Sequence, residues 1–282
     1  MSVTESVRGL VELTRPINAI VAGILTATGA FIAQGSALVG TVEPVVVATL
    51  ATALATGAGN AINDYFDRDI DQITNPERPL PRGSVAPQTA LLFSAVLFVV
   101  AGVLSLTLPL VAIVIAIINI GLLVAYTPVL KGRPGVGNAT VAYLGGSAFL
   151  FGGSAVEDLT APGILFVLAA LATFSREVIK DVEDIAGDRK KDLNTLPIAI
   201  GTHRSLWSAV VILCLMVSLT PLPYIFDLLG IPYLVLVIPA NLLMLYSAHV
   251  SFTDPTTGQS LLKYGTFLTA AAFIVGRIAT VI

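Results

Sequence analysis

Hydrophobic positions in this chain fall into long, almost uninterrupted runs instead of the alternating or one-faced patterns of water-soluble domains. Apolar runs of roughly 17 to 25 residues are long enough for a helix to cross a bilayer. The pattern therefore predicts nine transmembrane helices. The predicted spans are 17–34, 44–66, 88–107, 109–126, 137–154, 160–179, 204–222, 229–248 and 263–281.

Polar positions repeat along the chain as well. Three aspartates spaced three and then four residues apart follow the second predicted span, and the same triplet recurs 117 positions later, after the sixth. This repeat predicts an all-α polytopic membrane bundle made of two pseudo-repeated four-helix halves and a ninth helix. We expect one transmembrane domain over 1–282, with the polar segments 72–87 and 185–203 forming loops that cap the bundle on its cytoplasmic side.

The composition supports a membrane protein, since 55% of the 282 residues are hydrophobic and 12% are charged. That charged share is about half of the usual globular value. Membrane lipids are therefore the expected surroundings, and the net charge of −3 points to no other partner. The sequence gives no reason to infer a nucleic-acid partner or an obligatory protein partner.

The charges divide between the two sides of the predicted bundle. With the N-terminus inside, almost every Lys and Arg falls at a cytoplasmic helix end or loop, as the positive-inside rule requires; the exception is Arg277, near the outer end of the last span. The outer loops carry Glu43, Glu157, Asp158 and Asp227. We therefore expect a multi-pass protein of the cell membrane, with the N-terminus and both acidic triplets cytoplasmic and the C-terminus outside.

The first acidic segment presents oxygen ligands along one side of a helix. Asn60, Asp64, Asp67 and Asp71 form one stripe, and Asn63 shares a face with the last two at four-residue steps. Carboxylate and amide oxygens, without sulfur or imidazole, select hard cations such as Mg²⁺, Mn²⁺ or Ca²⁺ over zinc. The pattern predicts a metal site, with Mg²⁺ as the expected cofactor.

The second acidic segment repeats the stripe with Asp181, Asp184 and Asp188, and Lys180 lies beside it. A lysine next to a metal site indicates that an anion lies between them, and a diphosphate can contact both metal and cation. The substrate is therefore expected to carry phosphate. The predicted diphosphate contacts are Asn60, Arg68, Arg78, Arg82, Tyr126, Lys131 and Lys180.

Aromatic residues on the predicted helices are candidates for the walls of an apolar tunnel. Tyr143, Phe149, Phe151 and Phe174 offer ring faces that stabilise a carbocation. Packing or lipid contact is the ordinary role of such residues, and this alternative stays open at each position.

Other functions use similar residues. An ion-coupled transporter also needs membrane carboxylates, but its sites usually lie near the bilayer midplane, whereas these acids fall at helix ends beside basic loops. A membrane phosphotransferase acting on nucleotide-activated alcohols also uses aspartates and Mg²⁺, but its usual DG-x-x-AR core is absent. The acids of a single triplet also fit a simpler role as solvated, ion-paired helix ends.

The two acidic segments resemble those of the UbiA superfamily of intramembrane prenyltransferases. The segments 63–71 and 184–188 match its NDxxDxxxD and DxxxD motifs. The resemblance implies an enzyme in which Mg²⁺, bound by aspartates and Asn63, neutralises the leaving diphosphate of an isoprenyl donor. It implies catalytic roles for Asp67, Asp71, Asp184 and Asp188.

Within the superfamily, the segments 78–81, 176–184 and 195–198 are similar to those of archaeal digeranylgeranylglyceryl phosphate synthases. This similarity implies that geranylgeranyl diphosphate is the donor and that geranylgeranylglyceryl phosphate, a lipid-like acceptor, is alkylated on its free hydroxyl. The product would carry the second ether bond of an archaeal membrane lipid. The alternative within the superfamily is an aromatic prenyltransferase acting on a quinone or chlorin precursor.

Overall fold

The computed structural model describes residues 3–35 and 40–281, and these fold into helices joined by short connections, without a strand. A π-helical turn, Tyr126–Leu130, continues the fifth helix. In chain order the helices are α1 Val3–Leu13, α2 Pro16–Gln34, α3 Val42–Thr74, α4 Pro87–Ser105, α5 Leu110–Ala125, α6 Val136–Ala155, α7 Thr160–Lys190, α8 Leu196–Ile200, α9 Thr202–Leu219, α10 Leu222–Ile225, α11 Ile231–Val250 and α12 Pro255–Val281.

Proline and aspartate mark several helix starts. Pro16, Pro87 and Pro255 each occupy the first turn of a helix, where a missing N–H costs no hydrogen bond. Before α12, the Asp254 carboxylate accepts hydrogen bonds from the Thr257 amide at 3.0 Å and from its hydroxyl at 2.6 Å. These bonds cap the helix and hold the pKa of Asp254 below its usual value.

Eight helical segments within the described residues are long and apolar enough to cross a bilayer. They correspond to eight of the nine predicted spans and confirm a polytopic, all-α membrane bundle. The remaining predicted span, 137–154, forms α6 but contains many Gly, Ser and Thr residues, which lower its hydropathy. The count of nine spans therefore stays a prediction.

Helix packing follows the predicted repeat. In the first half α3 packs between α2 and α4, and in the second half α7 packs between α6 and α9. The halves meet where α2 crosses α6. There a Cβ on Gly29 would collide with the backbone of Phe149, and one on Gly152 would collide with the carbonyl of Thr26. Glycine therefore permits the close contact between the two halves.

The largest buried cluster lies in the second half, among α7, α9, α11 and α12. Tyr233 is fully buried there, stacks on Phe273 with ring centroids 5.7 Å apart, and donates its hydroxyl to the Thr220 carbonyl at 2.7 Å. Large side chains such as Leu92 and Ile117 instead face outward. Their exposure suits a lipid environment, where apolar surface needs no cover.

Two predicted helix ends are wrong. The second and sixth spans are predicted to end at 66 and 179, but the helices continue to Thr74 and Lys190. The predicted loops 72–87 and 185–203 therefore begin inside α3 and α7. The second predicted loop also contains α8. Neither polar extension contains a proline, and α3 ends two residues before Pro76. Because of this extension, both acidic triplets lie on regular helix. The capping of the cytoplasmic side by these segments stays a prediction.

Candidate active site

A polar cavity of about 490 Å³ lies between the ends of α3 and α7. The π-helical turn, the start of α6 and the segment after α7 complete its wall. Its lining residues are Arg15, Asn63, Asp67, Asp71, Thr74, Asn75, Arg78, Tyr126, Lys131, Gly137, Asn138, Glu177, Lys180, Asp181, Asp184, Gly187, Asp188, Lys191, Leu193 and Thr195.

Side chains in and just after the π-helical turn contact α3 at the wall of the cavity. Lys131 places its ammonium 2.6 Å from the Asp67 carboxylate, and the Thr127 hydroxyl donates to the Asn63 side-chain oxygen at 2.5 Å. The turn is closed by a hydrogen bond from the Lys131 amide to the Tyr126 carbonyl, 2.8 Å long and spanning five residues. This wider turn brings Tyr126 and Lys131 to the same cavity.

Two arginines neutralise the rest of the α3 triplet. The Arg78 guanidinium lies 2.6 Å from Asp71 and 3.4 Å from Asp64. Arg15 contacts Asp64 at 2.6 Å, from the junction of α1 and α2. Asp64 and Asp71 are almost fully buried, and buried carboxylates require such partners.

The α7 wall carries acids with weaker compensation. The Asn138 amide donates to Asp181 at 2.7 Å, and Lys180 lies 4.0 Å from Asp184. Within the described residues, neither Asp181 nor Asp188 forms an ion pair. The α3 triplet is therefore largely neutralised, whereas the α7 triplet on the other wall retains most of its negative charge.

Most of the predicted site residues reach the cavity. Those that line it are Asn63, Asp67, Asp71, Arg78, Tyr126, Lys131, Lys180, Asp181, Asp184 and Asp188. Those outside the lining are Asn60, Asp64, Arg68 and Arg82.

The predicted residues outside the cavity have other contacts. Asn60 donates to the Thr14 carbonyl at 3.0 Å, and the Arg68 guanidinium lies 4.9 Å from the centre of the Tyr65 ring. Arg82 pairs with Glu12 at 2.6 Å, a hydrogen bond that lowers the pKa of Glu12. The Asn60 and Arg82 contacts link α1 and the residue after it to α3 and to the segment that follows α3.

The structure adds cavity residues that the sequence analysis did not select. Arg15, Asn138 and Glu177 are the clearest, and Lys191 and Thr195 join them from the segment that follows α7. Arg15 and Asn138 meet their carboxylate partners across 49 and 43 residues of sequence. Such distant pairing leaves no local spacing signal. Glu177 lies one helical turn before Asp181, so the stripe could have been extended to it.

The donor set fits a hard divalent cation in its chemistry. Acids from two helices face one cavity, with carboxylate and amide oxygens and no thiolate or imidazole in the lining. Among the described residues, no group of three or more His, Cys, Asp or Glu side chains is already arranged to hold an ion. On the α3 side the reason is visible, since Lys131 and Arg78 occupy the carboxylates that a cation would use.

Two apolar cavities lie deeper in the bundle. One of about 110 Å³, among α2 to α6, is lined by Phe151; the other, about 90 Å³, is lined by Phe149. Both touch Leu25 and Gly145, so the two spaces adjoin. Of the other predicted tunnel residues, Tyr143 packs edge-on against Phe166 at 5.7 Å, and Phe174 packs against the main core.

Comparisons with known proteins identify the family of the chain. The model of the UbiA prenyltransferase family matches residues 22–274. The chain is 56% identical over 278 residues to the digeranylgeranylglyceryl phosphate synthase of Natronomonas pharaonis, an alignment that covers 98% of this chain and 99% of the relative. It is 53% identical over 276 residues to the protein of the same name from Halobacterium salinarum, with 98% and 99% coverage.

Solved structures give the same result. A structure described as digeranylgeranylglyceryl phosphate synthase in membranes superposes with a TM-score of 0.85 at 36% identity, covering 98% of this chain and 99% of the other. A UbiA homologue from Archaeoglobus fulgidus, bound to DMAPP and Mg²⁺, superposes with a TM-score of 0.73 at 16% identity, covering 96% and 98%. At that identity the likeness shows the fold alone.

Proposed function

Because this chain belongs to the UbiA prenyltransferase family and is an enzyme that transfers prenyl groups, we propose that its donor is geranylgeranyl diphosphate and its acceptor is geranylgeranylglyceryl phosphate. The reaction would alkylate the free glycerol hydroxyl and form the second ether bond of an archaeal membrane lipid. The observation that carries the proposal is the polar cavity between α3 and α7, in which acids and bases face each other above apolar spaces.

The relatives support this choice of substrates. Those most similar over nearly the full length share the name digeranylgeranylglyceryl phosphate synthase. The Archaeoglobus fulgidus homologue, a distant relative with the same fold, binds an isoprenyl diphosphate together with Mg²⁺. No feature of the cavity favours a planar aromatic acceptor over a glycerol phosphate.

We assign the divalent cation, Mg²⁺, to the acids that face each other across the cavity. Asn63, Asp67 and Asp71 would hold it from α3, and Asp184 and Asp188 from α7. Asp64 and Asp181 are further oxygen donors beside these sets. When bound, Mg²⁺ supplies positive charge to the diphosphate and so makes it a better leaving group.

The basic side chains take the remaining phosphate charge. Lys131 and Lys180 line the cavity, so they can turn from their carboxylate partners to phosphate oxygens when a diphosphate enters. Tyr126 lines the same space and offers a hydroxyl donor. Fixed donors aimed at the departing oxygens favour bond cleavage, because charge develops there in the transition state.

The reaction replaces one carbon–oxygen bond by another. The allylic C1–O bond of the donor breaks, and its electron pair leaves with the diphosphate. The glycerol oxygen then forms a bond to C1 and loses its proton to a cavity carboxylate or to the departing diphosphate. Since a hydroxyl is a weak nucleophile, we expect cleavage to run ahead of attack. The hydrocarbon chains would occupy apolar space between the helices.

The expected membrane orientation belongs to the proposal. The N-terminus and the polar cavity would face the cytoplasm, because basic residues concentrate at that end of the helices. The C-terminus would then lie outside.

The test is turnover by the purified full-length protein in lipid nanodiscs. We expect geranylgeranyl diphosphate and geranylgeranylglyceryl phosphate to give the double ether in the presence of Mg²⁺, and EDTA to abolish the reaction until Mg²⁺ is restored. Turnover with an aromatic acceptor but not with the glycerol phosphate lipid would refute this assignment. Cation flux through proteoliposomes without any chemical product would refute an enzymatic role.

A further inference from the structure

Arg15 stands out as a charged cavity residue without a role in the chemistry above. It lies between α1 and α2 and reaches Asp64, whose side chain is only 6% exposed. Its backbone is left-handed, with φ 47° and ψ 71°, a conformation that is strained for a residue with a Cβ. Such strain persists only where the surroundings fix it, and it is concentrated at functional sites.

Arg15 and Arg78 form a pair of guanidinium groups on one wall of the cavity. Both contact the same Asp64 oxygen, Arg15 at 2.6 Å and Arg78 at 3.4 Å. Arg15 keeps 38% of its side chain exposed and Arg78 keeps 31%, so donor groups remain available. Two planar guanidiniums so close together match the oxygens of a phosphate group better than ammonium groups do.

The proposed reaction requires two anion sites. The donor carries a diphosphate and the acceptor carries a separate phosphate. Lys131, Lys180 and Lys191 reach the cavity from the π-helical turn, from α7 and from the segment after α7, whereas Arg15 reaches it from the start of α2. One phosphate can therefore bind on the arginine wall while the diphosphate lies between the aspartate triplets.

A membrane-facing groove begins beside Arg15. Its volume is about 240 Å³. Its walls come from the start of α2 and from the middle of α3 and α4, and it begins at Thr14 and Pro16, the two neighbours of Arg15. The remaining walls are apolar or small, including Ala19, Ala53 and Leu54. This juxtaposition of an arginine pair and an apolar groove fits a single-chain lipid with a phosphate head.

We propose that Arg15, together with Arg78, binds the phosphate of the prenylglycerol phosphate acceptor, whose hydrocarbon chain lies in the groove between α2 and α3. The inference rests on the proposed function and adds to it a specificity-determining residue. It explains why an arginine occupies a position with a left-handed backbone, a conformation that glycine would adopt without strain. It also separates the acceptor's anion site from the donor's.

The test compares Michaelis constants of the full-length protein in nanodiscs with Mg²⁺. We expect Arg15→Gln to raise the KM of geranylgeranylglyceryl phosphate by about tenfold or more, the usual effect of losing a charged hydrogen bond, and to change the donor KM by less than about threefold. With geranylgeranylglycerol, which lacks the phosphate, variant and wild type should have equal KM. Arg8→Gln, on exposed α1 surface, is the matched control and should leave both constants unchanged.

Several other results would overturn the proposal. An unchanged acceptor KM, an equal rise in the donor KM, or the same loss with geranylgeranylglycerol would overturn the role of Arg15. So would a change confined to the requirement for bulk phospholipid, which would make a membrane lipid the occupant of the groove. If Arg15→Gln does not fold, Arg15→Lys is measured instead, because it keeps the charge beside Asp64. A raised acceptor KM of this variant would support the role of Arg15, and an unchanged one would overturn it. Absence of turnover by the wild type would instead refute the proposed function, and this inference with it.

Discussion

The acidic triplets of α3 and α7 have the same spacing but different electrostatic surroundings. On α3 each aspartate has a basic partner at 2.6 Å: Arg15 for Asp64, Lys131 for Asp67 and Arg78 for Asp71. On α7 the nearest equivalents are a neutral amide and a lysine at 4.0 Å.

Two copies of the same motif can therefore have different roles in one site, one on each helix. The α7 acids are only weakly compensated and gain most from a cation, whereas the α3 acids already have partners that a cation must replace. The basic side chains released from α3 are then free to bind phosphate. Substitutions on the two helices should therefore have unequal effects.

The largest effect is expected on the α7 side. Asp184→Asn should lower kcat/KM by roughly 10²–10³-fold, because a weakly compensated ligand for the cation that stabilises the leaving group is lost. Steady-state kinetics with geranylgeranyl diphosphate measure this. Glu183→Gln is the matched control, since Glu183 is exposed and bonds to Thr256, and it should retain turnover. Near-normal activity of Asp184→Asn would remove the α7 triplet from the site.

Metal binding should also separate the triplets. We expect Mg²⁺ to raise the thermal unfolding midpoint of the wild type in detergent, since a ligand that binds the folded state stabilises it. The double variant Asp184→Asn/Asp188→Asn should lose this shift, while its midpoint without metal should not fall, because like charges have been removed. A full Mg²⁺ shift in the double variant would contradict the division proposed here.

A smaller effect is expected from the lysines in the absence of metal. Lys131→Ala should lower the free energy of unfolding by about 1 kcal/mol, because the partly buried Asp67 loses its close partner. Lys180→Ala should change it by less than about 0.5 kcal/mol, since its partner is 4.0 Å away and half exposed. Chemical denaturation in detergent gives both values. Equal losses would show that the two walls are electrostatically alike.

The smallest effect is expected at Asn138. Asn138→Ala removes the amide that donates to Asp181, so this carboxylate loses its orientation but not its charge. We expect kcat to fall by about threefold to tenfold, a loss of roughly 1 kcal/mol, as for one hydrogen bond. Asn138→Gln keeps the amide and is the control. A loss as large as that of Asp184→Asn would mean that Asp181 acts directly in the chemistry.

The fold was predictable where the signal was local. Apolar run lengths located the spanning helices, and spacings of three and four residues placed each triplet on one side of a helix. The ends of α3 and α7 were missed because polar residues beyond the apolar run do not show whether the helix continues. α3 ends at Thr74, just before the Asn75–Pro76 pair, which disfavours helix.

The site was predictable only in part for a related reason. Its acids repeat along the chain, whereas the groups that neutralise them come from distant segments. Asn138 stands apart from both acidic segments along the chain, yet it is buried and donates a hydrogen bond to Asp181. Arg15 looked like an ordinary basic residue before a membrane span. In both cases packing between helices, which no single segment encodes, determined the role.

The π-helical turn after α5 shows how strongly the site depends on the local geometry of one helical turn. An α-helix advances each residue by about 100°, so the fifth residue after Tyr126 would point to another side of the helix. The wider turn cancels much of that rotation and keeps Tyr126 and Lys131 on the cavity side. If the same residues were wound as a regular α-helix, the chain would keep every ionisable group of the site, yet the ammonium of Lys131 would point away from the cavity.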